Sequence, residues 1–232
     1  MKRHGPAKPD LILVTLIHQS LRVDAARLAA TVAGLRGSDP PSRVPGIQEF
    51  FGHYRGQLVL HHRHEDELFF PALAARVGTS TMHLAELASQ HEALDTALQA
   101  AGESLAVLSD SADVATDGIE AAATLSTMAG LLSAHLSLEE RTALPLFESE
   151  MPAGDYKKLE AAALKATPRR QAAFLIPWVV AHATPDQRRA LLRAAPPLRV
   201  ALLVSHRHFR HLDQALVPAA DLSTSPRQGE AG

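Results

Sequence analysis

Apolar residues recur at helical spacing through four long segments of this chain, separated by polar or proline-containing breaks. From Pro9 to about Arg36, Leu13, Leu16, Ile17, Leu21, Ala25 and Leu28 fall on one stripe, which ends at Gly37-Ser38-Asp39-Pro40-Pro41. A second helix is predicted from near Gly46 to about Gly78, carrying Phe50, Phe51, Tyr54, Leu58, His61, Glu65 and Leu68, with a distortion at Pro71. Thr79 to about Leu108 reads as the third. Ser109-Asp110-Ser111-Ala112-Asp113 supplies turn and N-cap residues, and a fourth periodic segment then runs through Leu125, Met128, Leu131, Leu132, His135, Leu136 and Glu139 toward Pro145.

Four long helices joined by short loops predict an all-α fold, an up-down four-helix bundle over residues 1–150. Beyond Met151-Pro152-Ala153-Gly154 the helical pieces are shorter, punctuated by Pro168, Pro177, Pro185 and Pro196-Pro197. They predict a helical C-terminal extension over 151–222 packed on the bundle, followed by a polar tail, 223–232, expected to be disordered.

Composition narrows the chemistry. There is no cysteine, which excludes disulfides, thiolate catalysis and every Cys-based metal site, so any metal must sit on nitrogen and oxygen. The net charge of −2, with no basic run interleaved with aromatics, argues against nucleic-acid binding. The apolar stretch Leu11-Ile12-Leu13-Val14 is too short for a signal peptide or membrane span, so no membrane partner is expected and a cytoplasmic location is the default. Aromatics make up only 4% of a chain that is 46% hydrophobic, which favours helix over strand, and thirteen histidines stand out.

Those histidines are patterned. The second and fourth segments carry the same cassette, His61-x3-Glu65-x5-Pro71 and His135-x3-Glu139-x5-Pro145. At about 100° per residue, His and Glu four apart share a helix face and lie about 6 Å apart along the axis, so both can reach one buried metal cluster. Each cassette offers an imidazole nitrogen and a carboxylate able to bridge two cations. The other two helices each offer an inward candidate, His18 and His91, for a tally of four His and two Glu. A single His-x3-Glu pair is commonly a surface salt bridge, and a metal-free bundle with solvated His and Glu is the bland alternative. The repeat with matching proline offsets, set among apolar neighbours, argues against it. Within His61-His62-Arg63-His64-Glu65-Asp66-Glu67 other pairings exist, such as His62 with Asp66. The repeat selects His61 and Glu65, and His53, His62 and His64 read as solvated or as lying behind the ligands.

His18, His61-x3-Glu65, His91 and His135-x3-Glu139, within HRHEDELFFPAL and EERTALPLF, resemble the hemerythrin/HHE cation-binding family, in its bacterial hemerythrin-like form, over roughly residues 10–150. The resemblance implies two non-haem iron ions joined by an oxo or hydroxo bridge, with Glu65 and Glu139 as bridging carboxylates and imidazoles completing each iron. Residue types alone would also permit manganese or zinc. Oxygen-carrying hemerythrins have a second His one turn from the helix-three ligand, whereas the positions around His91 are Leu87 and Asp95. The carrier's five-His set therefore reads as incomplete, which favours reaction with a small oxidant over reversible storage. The C-terminal region is loosely similar to extensions of bacterial hemerythrin-like proteins.

The leading expectation is thus an oxidoreductase acting on hydrogen peroxide, dioxygen or nitric oxide. One alternative is oxygen-dependent oxidation of an organic substrate, with the C-terminal helices building a pocket beside the irons; Phe174 and Trp178 read as lining it or, more commonly for such residues, as plain core. Another is a non-enzymatic oxygen or iron sensor. Tyr54, seven residues before His61 on the same face, reads either as a catalytic phenol or iron ligand or as a core tyrosine. His206, His208 and His211 read as a second metal site or as part of a solvated basic helix, with the latter favoured.

Overall fold

The computed structural model describes residues 7–40, 42–78, 82–194 and 198–217. Among these the helices are α1 (Ile12–Ala33), α2 (Arg43–His64), α3 (Phe70–Val77), α4 (Met82–Val107), α5 (Val114–Glu150), α6 (Ala153–Ala166), α7 (Arg169–His182), α8 (Pro185–Ala194) and α9 (Leu198–Asp213), with no strand. A single π-helical stretch, Glu65–Phe69, joins α2 to α3 without a break. It is the distortion expected near Pro71, which lies in the first turn of α3 and has no N–H to continue the regular ladder. α3 ends at Gly78, the one described residue with positive φ, at 59°. Asp113 caps α5, its carboxylate accepting from the Thr116 N–H at 3.2 Å. α5 runs through Pro145 rather than ending there. The expected residues Thr79–Thr81 at the start of the third helix, and the tail 223–232, lie outside the described residues.

Two apolar clusters order the bundle along its length. One contains Leu21, Leu58, Leu94 and Leu132, and the other Phe70, Leu87, Ala143 and Phe147, with Leu11 packed against it. Passing along α1 the chain goes from Leu11 through His18 to Leu21, and along α2–α3 from Leu58 through Glu65 to Phe70. The order reverses again along α4, from Leu87 through His91 to Leu94, and along α5, from Leu132 through His135 to Ala143. The four segments therefore alternate in direction, and each lays its polar residues in the layer between the two apolar clusters. At Gly118 of α5 an added Cβ would lie 2.9 Å from the Val32 carbonyl oxygen, so α1 and α5 approach backbone to backbone there. Among the described residues α5 alone is long and apolar enough to cross a membrane by length and composition, yet it packs on α1 and α4.

The extension packs against α1 and α2. Trp178 and Phe174 of α7 and Phe209 of α9 are buried in the first cluster. Phe174 meets Phe50 edge-on at 5.8 Å and Phe209 at 5.5 Å. Asp24 of α1, fully buried, accepts from the Trp178 Nε1–H at 2.6 Å, lies 3.0 Å from His182 Nε2 and pairs with Arg27 at 2.6 Å. Gln57 of α2 donates to the Gln171 carbonyl at 2.8 Å, and Arg43 donates to the Val217 carbonyl at 3.1 Å.

Candidate metal centre

The four bundle helices bring every sequence-selected His and Glu into the polar layer. His18, His61, Glu65, His91, His135 and Glu139 are all buried. Two groups form. In one, His18, His61, Glu65 and Glu139 each place a ligand atom within 4.8 Å of the others; in the second, His62, His91 and His135 do the same.

His62 is the correction to the sequence reading. It is neither solvated nor set behind the ligands: it is 3% exposed, its ring stacks on His91 with centroids 4.1 Å apart, and His135 meets it edge-on at 5.3 Å. The layer thus brings together five imidazoles, not four, the fifth coming from α2. Leu87 is a fully buried member of the apolar cluster. His62 lies about 100° around the helix from His61, outside the single stripe that the repeat suggests. The buried arc of α2 is wider than one stripe: Gln57 and His53 turn toward α7, where they meet Gln171 and Phe174, while His62 turns toward His91 of α4 and His135 of α5. The unusual density of histidine in HHRHEDE was the available signal.

Three imidazoles are anchored from behind. His18 Nδ1 lies 3.0 Å from Glu140 Oε1, His91 Nδ1 lies 3.0 Å from both Asp66 carboxylate oxygens, and His135 Nδ1 lies 3.1 Å from Gln90 Oε1. Carboxylates and an amide oxygen only accept, so each ring donates from Nδ1 and turns the lone pair of Nε2 into the layer. Arg22 grips Glu140 with two bonds, 2.7 and 2.9 Å, fixing the anchor of His18. Sequence reasoning paired Asp66 with His62 as an alternative and did not find Glu140, Asp66 or Gln90 as anchors, because these contacts depend on how neighbouring helices are rotated.

What faces inward has no hydrogen-bond partner: Nε2 of His18, His61, His62, His91 and His135, and Oε2 of Glu65 and Glu139. The carboxylates stand close without hydrogen-bond alignment, Glu139 Oε2 at 3.2 Å from His18 Nε2 and 4.0 Å from His61 Nε2. Glu65 straddles the groups, with Oε1 3.1 Å from His61 Nε2 and Oε2 3.4 Å from His91 Nε2. Buried nitrogen and oxygen atoms left unpaired this way are costly unless a shared partner satisfies them, and cations coordinated between them would do so.

The electrostatics agree. Burial pushes His61 and His62 well down, reinforced by neighbouring imidazoles, and lowers His135 to about 4, which keeps these rings neutral and able to ligate. His18 goes the other way: burial opposes its charge, but the Glu139 and Glu140 carboxylates outweigh it and raise it to about 9. Its surroundings demand positive charge at Nε2. Burial, Glu139 and Asp66 push Glu65 up, whereas His18 outweighs burial at Glu139 and pulls it down. The lowered imidazoles and the raised Glu65 reflect desolvation that coordination of a cation would relieve, whereas in the metal-free chain His18 and Glu139 stabilise one another as a charge pair.

The remaining candidates fall elsewhere. Tyr54 is fully buried and its hydroxyl donates to the Leu21 carbonyl at 3.1 Å, with Trp178 edge-on at 6.5 Å, the arrangement of a core tyrosine. Burial pushes its phenol further up. His53 is buried against Phe174 at 4.8 Å, and His64 is half-buried. His206, His208 and His211 are exposed on α9 and belong to neither potential metal group among the described residues.

Neither curated proteins nor solved structures yield a match to this chain. The family model for the hemerythrin HHE cation binding domain matches residues 12–147, from the start of α1 to Phe147 of α5, and so spans every one of the inward-facing His and Glu residues. With more than half of the chain matched, the protein belongs to the hemerythrin HHE cation-binding family.

Proposed function

We propose that the polar layer holds two non-haem iron ions and that the protein is an oxidoreductase reacting with a small oxidant: hydrogen peroxide, dioxygen or nitric oxide. The observation that carries this reading is the convergence of five buried Nε2 atoms and two carboxylate oxygens, all without hydrogen-bond partners, in two adjoining groups. His62, His91 and His135 would hold one ion and His18 and His61 the other, with Glu65 placed to serve both and Glu139 beside His18 and His61. The iron pair would supply the redox chemistry that this side-chain set lacks.

The chain's own contribution is arrangement. The Nδ1–H bonds to Glu140, Asp66 and Gln90 fix ring orientation and tautomer before any ion arrives. Phe70 lies parallel to His91 at 6.1 Å, and Leu73, Leu87 and Phe147 close that end of the layer against water. The five-imidazole count removes the argument that a missing ligand opens the site. Counting carboxylates, the two positions draw on equal numbers of side chains, His18, His61, Glu65 and Glu139 at one and His62, His91, His135 and Glu65 at the other, and they differ in that the first has the more carboxylate character.

The test is consumption of hydrogen peroxide by the iron-reconstituted chain, followed together with its visible spectrum. Multiple turnovers per chain, lost in His61→Ala and Glu139→Ala, are expected. Reversible spectral change without turnover would make this a binding or sensing protein, and consumption no faster than by free iron would refute the oxidoreductase reading.

A further inference from the structure

A cavity of about 450 Å³ lies between the bundle and the C-terminal helices. His61, Glu65 and Glu139 form part of its wall, whereas His62, His91 and His135 do not. It therefore opens on the two-imidazole side of the centre only. α2 and the π-helical stretch line it from Gln57 to Phe69, about 18 Å at roughly 1.5 Å per residue. Leu13 and Ile17 of α1 face Leu164, Leu175 and Ile176 of α6 and α7 across it, so most of its length is hydrocarbon.

Its polar side chains, Gln57, His64 and Thr167 among them, are outnumbered by apolar ones. Asp10, Lys157 and Glu160 line one region, two carboxylates against one ammonium. Burial, together with Asp10, pushes the Glu160 carboxyl up to about 7, with Lys157 opposing. Tyr156, buried between Phe69 at 5.6 Å and Phe147 at 5.7 Å, stands between this region and the centre, its phenol influenced by Glu160 and Asp10 as well as by Glu139 and Glu65.

An oxidant of two to four atoms needs no such space. The volume lies within the range of pockets that take organic ligands. We propose that this cavity binds an elongated, largely apolar organic molecule ending in a hydroxyl or ammonium group, laid between the Asp10–Glu160 region and the His61–Glu65–Glu139 wall. Hydrocarbon walls reward an apolar body. Carboxylates in excess at the polar region reward a hydrogen-bond donor and penalise a carboxylate terminus. Binding requires no metal; only its consequence, that the molecule would lie beside the reacting oxidant, rests on the function proposed above.

The test uses the full chain, metal-free and iron-loaded, titrated with the neutral fluorescent probe N-phenyl-1-naphthylamine. Saturable binding of about one probe per chain is expected in both forms, displaced by dodecan-1-ol and dodecylamine at concentrations at least about tenfold below those needed for dodecanoate. Leu13→Trp and Leu175→Trp, which fill the cavity, should each weaken probe binding about tenfold or more, whereas Leu203→Glu on the exposed face of α9 should leave it unchanged. Glu160→Lys leaves the hydrocarbon walls intact and should shift the preference toward dodecanoate. No saturable binding, or binding lost in Leu203→Glu and kept in both filled variants, would overturn the proposal, and so would dodecanoate displacing better than dodecylamine from the unaltered chain. Because the metal-free form is measured, failure here is distinguishable from failure to bind iron.

Discussion

The rings of His62 and His91 lie 11° from parallel with centroids 4.1 Å apart, although they come from different helices and neither Nε2 has a hydrogen-bond partner. His62 lacks one at Nδ1 as well. Two imidazoles stacked in a buried layer with ring nitrogens left unpaired cost stability in the metal-free chain, because each unpaired polar atom forfeits its hydration.

His62→Leu should therefore leave the metal-free protein as stable as the parent, or more stable by up to about 1–3 kcal/mol. The same change should remove part of the increase in Tm that iron brings, since binding to the folded state is itself a stabilising term. Thermal unfolding with and without iron checks both halves. A variant that is destabilised without metal and keeps the full iron-dependent increase would show that His62 packs rather than ligates.

Glu140 acts one step back from the centre, accepting from His18 and held by Arg22. Glu140→Ala should lower iron affinity about 10- to 100-fold, the usual effect of losing an anchor behind a ligating histidine, with little change in helical content. Titration against a competing chelator measures it. An unchanged affinity would mean that His18 needs no anchor or does not ligate.

The residues that were legible in the sequence are those whose position follows from one helix alone. His61 and Glu65, like His135 and Glu139, are four apart and so share a face whatever surrounds them, and Pro71 marks the distortion that becomes the π-helical stretch. His62 was missed because it lies off the single stripe and its burial depends on how α4 and α5 bring His91 and His135 against it. The pairing of Asp66 with His91, and not with His62, likewise depends on the rotation of α4 against α2. Phe174 and Trp178 fill the core, the commoner of their two readings, while the cavity is walled by their neighbours Leu175 and Ile176 on the same helix.

Asp24 joins α1 to α7 through Trp178 and His182, and its carboxyl is fully buried. Burial alone would raise its pKa, but His182, Arg27 and the Trp178 N–H outweigh it and hold the group below its ordinary 3.8. A carboxyl lowered on folding contributes stability in full above the unfolded value and loses it as pH falls through the folded one. Asp24→Asn should cost about 3–5 kcal/mol at pH 7, the cost of breaking a buried charge pair, and the gap to the parent should narrow below about pH 4. Denaturant unfolding at several pH values measures this, and a gap that is constant with pH would show that the charge of Asp24 is not what binds the extension to the bundle.

The centre itself is tested most directly by counting metal. After anaerobic reconstitution with ferrous iron and removal of excess, elemental analysis should find close to two irons per chain in the parent, with marked loss in both His61→Ala and Glu139→Ala. A parent chain that retains no metal would contradict the account: the five imidazoles and two carboxylates would then be a costly buried polar layer with no ion to satisfy it.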